Sequence, residues 1–99
     1  MRFISLSLLI LLSSPTLRSA DWPQFRGPDG QGHSDAKDIP ILWSEDKNIT
    51  WKSAVPGQGW SSPVIAGNQI WMTSAEEKGK SLHAVCLDKT TGKLLYDIE

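Results

Sequence analysis

The sequence predicts an all-β chain whose main unit is one antiparallel sheet of four strands in a meander. Three observations carry this. Beyond residue 20, apolar residues never recur at the 3.6-residue period of a helix over a useful length. Gly67-Asn68, glycine first, stands between Val64-Ile65-Ala66 and Gln69-Ile70-Trp71-Met72-Thr73-Ser74, the pattern of a two-residue hairpin. A second hairpin follows, with Leu82–Leu87 and Lys93–Ile98 as arms around the turn Asp88-Lys89-Thr90-Thr91-Gly92.

The first twenty residues read as a removable leader. Met1-Arg2 is a short positive region and Phe3–Leu12 an apolar run. Ser13–Ala20 is polar and small, with Pro15 as a breaker. The run is about half the length of roughly twenty residues that a membrane-spanning helix needs, so a secretory signal peptide over 1–20 is expected in place of an anchor. Cleavage after Ala20 and cleavage after Ser19 both remain open. Residues 21–48 follow as an irregular N-terminal segment. It is rich in Gly and Pro around Trp22-Pro23-Gln24-Phe25-Arg26-Gly27-Pro28, and Trp22 and Phe25 are expected to pin it. Ile41-Leu42-Trp43 reads as a short apolar anchor before the charged turn Ser44–Asn48.

Ile49-Thr50-Trp51-Lys52-Ser53-Ala54-Val55 is rich in β-branched and aromatic residues and predicts a strand ended by Pro56-Gly57. Gly57–Pro63 is a loop. In the meander proper, Ala75–Lys80 predicts a charged, solvated connection. In the final hairpin, Leu82, Ala84 and Cys86 are expected on one face of the first arm, and Leu94 and Tyr96 on one face of the second. The Asp88 carboxylate suits turn amides, and Gly92 suits the positive φ that such a loop demands. The chain ends within this last strand, which leads to the expectation that it is a fragment.

Composition narrows the function classes. From Asp21 to Glu99, eight Lys/Arg stand against eleven Asp/Glu, a net charge of −3 that offers no basic surface to nucleic acid. Cys86 is the only cysteine, so no internal disulfide can form, and in an apolar strand it reads as a small core residue. The five tryptophans, Trp22, Trp43, Trp51, Trp60 and Trp71, require extensive burial or interface. Asn48-Ile49-Thr50 matches a glycosylation triplet only formally. His33 and His83 lack metal-ligand spacing and a nucleophile in a recognisable elbow, so a hydrolase is not expected; His83 reads as a partly exposed strand residue.

Ala84, Asp88, Thr91, Gly92, Lys93, Leu94 and Leu95 resemble the repeat of PQQ-like (quinoprotein-type) β-propellers. That blade ends in Leu-x-Ala-x-Asp-x-x-Thr-Gly-Lys, two apolar residues and a tryptophan. The spacing from Ala84 to Asp88 is slightly longer here, and Tyr96 stands where the tryptophan usually does. Ser61–Trp71, with Gly67 and Asn68 at its turn, resembles the first two strands of such a blade. Trp22–Pro28 with Gly32 resembles the N-terminal segment of secreted bacterial members. The resemblance implies that residues 49–99 begin a propeller, with an extra edge strand at 49–55 and an antiparallel four-stranded blade at 62–99. Tyr96 would then pack between blades.

Two functions follow from the resemblance. One is a periplasmic or secreted, non-catalytic propeller that binds protein partners through its loops as an assembly scaffold, with no transmembrane segment once the leader is removed. The other is a dehydrogenase of alcohols or sugars dependent on PQQ and calcium. Asp21, Asp29, Asp35 and Asp38 are carboxylates without the spacing of a calcium ligand set, so that active site would lie beyond residue 99. No catalytic, cofactor or metal residue is assigned within the chain. Arg26, in a rigid Gly/Pro setting beside Phe25, is the candidate for partner binding; the competing role is to tie backbone carbonyls of its own segment.

Overall fold

A computed structural model describes residues 21–99; the expected signal peptide lies outside the described residues. Four strands form one antiparallel sheet in sequential order, β1 (Val64–Ala66), β2 (Gln69–Glu76), β3 (Ser81–Asp88) and β4 (Leu94–Ile98). This is the expected all-β meander. Ala66 pairs with Gln69, leaving Gly67-Asn68 as the two-residue turn. Gly67 takes φ +58° there, the positive value that the first position of a type II′ turn requires. β2 and β3 pair over eight residues each, from Gln69 opposite Asp88 to Glu76 opposite Ser81. Their connection is a single 3₁₀ turn, Glu77–Gly79.

The β3–β4 ladder is interrupted. Ala84 pairs with Ile98, Val85 with Asp97 and Cys86 with Tyr96, but the next rung joins Leu87 to Leu94. The extra residue, Leu95, makes a bulge. Strict alternation put Leu94 and Tyr96 on one face. Instead Tyr96 shares the Cys86 row, while Leu94 opposes Leu87 on the other side of the sheet.

Two short additions extend the sheet at the outer edge of β2 and β1. Trp22 makes a two-bond bridge to Ile65, at 2.9 and 2.8 Å, and Gln58 makes another to Ala75, at 2.9 and 2.7 Å. Between the β1 rungs and Gln58, the Ser61 hydroxyl replaces a backbone rung. It accepts from the Thr73 amide at 3.0 Å and donates to the Thr73 carbonyl at 3.1 Å. Gly57 and Gly59 permit the close approach, because a Cβ on either would lie 2.7 Å from a β2 carbonyl oxygen.

Residues 49–55, expected as a strand, join no ladder among the described residues. Side chains hold them instead. Trp51 Nε1 donates to the Lys89 carbonyl at 2.9 Å and Ser53 Oγ to the Gly92 carbonyl at 2.7 Å, so the segment leans across the β3–β4 turn. Of the two residues expected to pin the N-terminal segment, Trp22 does so. Its ring covers the buried Gly27, whereas Phe25 is 73% exposed. The Ile41-Leu42-Trp43 anchor is also exposed, since residues 31–50 pack under nothing described.

Among the described residues the buried hydrophobic core comprises Val85, Cys86 and Leu87, all in β3, one of the two inner strands. Over Cys86 the rings of Trp71 and Tyr96 stack, 5.8 Å apart and within 8° of parallel. Tyr96 therefore has an aromatic partner within its own sheet. Every residue of β4 is exposed.

Candidate functional site

The two ends of the sheet carry different chemistry. One end holds both tight turns. There Asp88 Oδ1 accepts from the amides of Thr90 at 2.9 Å and Thr91 at 2.8 Å, and from the Thr91 hydroxyl at 3.0 Å. Asp88 Oδ2 accepts from Asn68 Nδ2 at 2.6 Å, and Thr90 Oγ1 donates to Asn68 Oδ1 at 2.8 Å. Asn68 thus clasps one hairpin turn to the other. The Asp88 carboxyl is held below the usual range, first by the Thr91 amide, against some desolvation, then by the Thr91 hydroxyl, the Thr90 amide and Asn68. All these donors belong to the turns themselves. Gly92, at φ +72°, is buried under Trp51, whose ring a Cβ would overlap. Asp88, Thr91 and Asn68 thus join the two turns, with Gly67 and Gly92 at their positive-φ positions.

The N-terminal segment docks at the same end, where Asp21 Oδ1 accepts from the Gly67 amide at 2.9 Å. Arg26 is exposed, and among the described residues its guanidinium makes neither hydrogen bond nor ion pair. The role of tying its own segment's carbonyls falls instead to Gln24, whose Nε2 donates to the Gly27 carbonyl at 2.8 Å.

At the opposite end, Gly57–Trp60 and the Glu77–Gly79 turn flank an open cleft of about 870 Å³, bordered by Trp60, Glu76, Glu77 and Lys78. Trp60 is fully exposed at its rim. Beside this cleft the register gathers a polar cluster. Ser81 and His83 lie two apart on β3, so they share a face, and Asp97 comes from the paired strand. Ser81 Oγ is 2.9 Å from His83 Nε2, and His83 Nδ1 is 2.6 Å from Asp97 Oδ1. The His83 side chain is 11% exposed, a partly exposed strand residue as expected.

The order serine, imidazole, carboxylate is that of an activated nucleophile. The protons run the wrong way for that chemistry. Ser81 Oγ also lies 2.8 Å from Glu99 Oε1, and an ionised carboxylate only accepts. When the single hydroxyl proton of Ser81 goes to Glu99, Oγ is left to accept from Nε2–H while Nδ1–H donates to Asp97. Both ring nitrogens then carry protons, and Glu76 Oε2, 3.8 Å from Nε2, faces the resulting imidazolium. His83 is correspondingly held above the ordinary histidine range. The Asp97 hydrogen bond is the main cause; partial burial opposes it, and the charges of Asp97, Glu76 and Glu99 add to it. The Glu99 carboxylate on the serine would also oppose an oxyanion there. The cluster is a carboxylate cage around a cation.

Sequence reading missed this cluster. Its one local trace is the Ser81-x-His83 spacing, and the carboxylates join it only through strand pairing.

No group of three or more His, Cys, Asp or Glu among the described residues could hold a metal ion. Asp21 caps a turn, and Asp29 Oδ1 accepts from the Gln31 amide at 2.9 Å. Cys86 is fully buried, with its thiol pushed up mainly by desolvation. Among the described residues, no helix is long and apolar enough to cross a membrane.

The fold and both ends of the sheet define an antiparallel β-module with a structural turn end and a cleft-bearing loop end. No protein-family model, curated protein or solved structure matches the chain.

Proposed function

We propose that the chain is part of an exported PQQ-like repeat β-propeller that serves as a non-catalytic binding or assembly scaffold. One observation carries the reading. Among the described residues the buried hydrophobic side chains are three, while Leu82, Leu94, Leu95, Tyr96 and Ile98 of the same sheet stay 40% or more exposed. A sheet that hides so little of its apolar surface is built to pack against further sheets, as the blades of a propeller do. Support also comes from the Asp88–Gly92 turn, whose bonds close within the hairpins and on the Trp51 and Ser53 side chains, the pattern of a turn that holds the fold. Protein partners would be taken up at the loop end, where the exposed Trp60 borders the cleft; a large aromatic on a concave surface is a common anchor of protein interfaces.

The test is made on protein exported to the periplasm under its own leader. Self-association in sedimentation, or strong binding of a hydrophobic dye, is expected of an uncovered blade. A monomer that melts cooperatively and binds no dye would overturn the blade reading. Titration with PQQ and calcium separates scaffold from dehydrogenase: an unchanged quinone spectrum is expected, and PQQ-dependent dye reduction with an alcohol or sugar would replace the scaffold with the enzyme.

A further inference from the structure

The cage around His83 draws on three strands, and two of its carboxylates, Asp97 and Glu99, sit at the end of β4 and just past it. We propose that His83 is a proton-operated latch, holding Asp97–Glu99 against β3 when its ring is protonated and releasing them when it is not.

The groups that face the ring come from every strand packed on it. β2 contributes Glu76, and also Ser74, which lies opposite His83 in the ladder and whose buried hydroxyl has no partner. β3 contributes Ser81, and the end of β4 contributes Asp97 and Glu99. Three carboxylates therefore surround one cation, and no Lys or Arg among the described residues forms an ion pair with any of them.

Removing one proton changes the bonding in a countable way. With the ring charged, Nδ1–H serves Asp97, Nε2–H serves Ser81 and the Ser81 hydroxyl serves Glu99. With the ring neutral and Nδ1 still protonated, Nε2 becomes an acceptor. It then competes with Glu99 for the only hydroxyl proton of Ser81, so one bond of the chain must be lost. The remaining carboxylates repel each other with no cation between them. β4 is where this is felt, because among the described residues its outer edge pairs with no other strand.

The direction of the pH effect follows from the raised value of the folded state. The latch stabilises fully below the unfolded histidine value of about 6.5 and is lost as pH rises through the folded value.

The experiment uses the whole exported chain. Exchange of the His83 C2–H, followed by mass spectrometry, gives its titration midpoint whether or not the chain self-associates. Amide exchange of Asp97–Glu99, corrected for the intrinsic pH dependence, is followed over the same range. A midpoint above about 6.5 is expected, with loss of protection at Asp97–Glu99 in step with it and unchanged protection at Val85. Asp97→Asn should bring the midpoint down, and His83→Gln should remove the pH step. A midpoint at or below the free value, protection that is flat across it, or an unshifted midpoint in Asp97→Asn would each overturn the latch. Should His83→Gln fail to fold, Asp97→Asn retains the histidine and decides the question by its midpoint.

Discussion

Replacing Gly92 by alanine tests the joint between the hairpin and the segment that lies across it. Gly92 has φ +72°, and the left-handed region costs a non-glycine residue about 1–2 kcal/mol. The new Cβ would also overlap the Trp51 ring, so the indole must move and give up its bond to the Lys89 carbonyl. That bond is worth about 1 kcal/mol net, bringing the total to about 2–3 kcal/mol. The assay is amide exchange at Asp88, which donates to the Lys93 carbonyl at 2.8 Å, and at residue 92, which donates to the Asp88 carbonyl at 2.8 Å. A local opening made easier by that amount exchanges about 30- to 150-fold faster. In a Trp51→Ala background only the backbone cost should remain, so the cycle should show coupling of about 1 kcal/mol. Protection within about twofold of the parent, or an equal effect with and without Trp51, would refute the packing of Trp51 on Gly92.

Two further outcomes are expected. Cys86, fully buried with its thiol raised by desolvation, should resist alkylation at neutral pH without denaturant and react once the sheet is unfolded; rapid labelling of the native chain would contradict its place in the core. Because the folded Asp88 carboxyl lies below its unfolded value, its contribution is present above the ordinary carboxylate range and lost as pH falls through the folded value. Acidification should therefore expose the Thr90 and Thr91 amides, and Asp88→Asn should flatten that dependence while retaining the turn's glycine.

Much of the hairpin chemistry was legible in the sequence because its causes are local. Gly67-Asn68 sets a two-residue turn through the φ that its first position needs, and Asp88 finds its acceptor role within three residues of itself. The β2 and β3 arms alternate as written, and their ladder simply runs further at each end than the apolar pattern marked. Residues 49–55 were misread for a related reason. β-branched and aromatic residues favour extended backbone, but propensity does not say whether a partner strand lies alongside; the Trp51 and Ser53 side chains took the bonds instead.

Sequence by itself determined the class of the chain, the order of its strands and the residues of its tight turns, since each depends on periodicity or on a neighbour a few positions away. Only the tertiary structure decided that Leu95 bulges, that Tyr96 stacks on Trp71 and that Phe25 stays exposed. It alone brought Ser81, His83, Asp97 and Glu99 into one hydrogen-bonded chain. Those outcomes depend on strand register and on contacts between residues up to twenty-five positions apart, Trp71 and Tyr96 the farthest. A shift of one residue in the β3–β4 pairing would turn Asp97 to the other face and dissolve the cage.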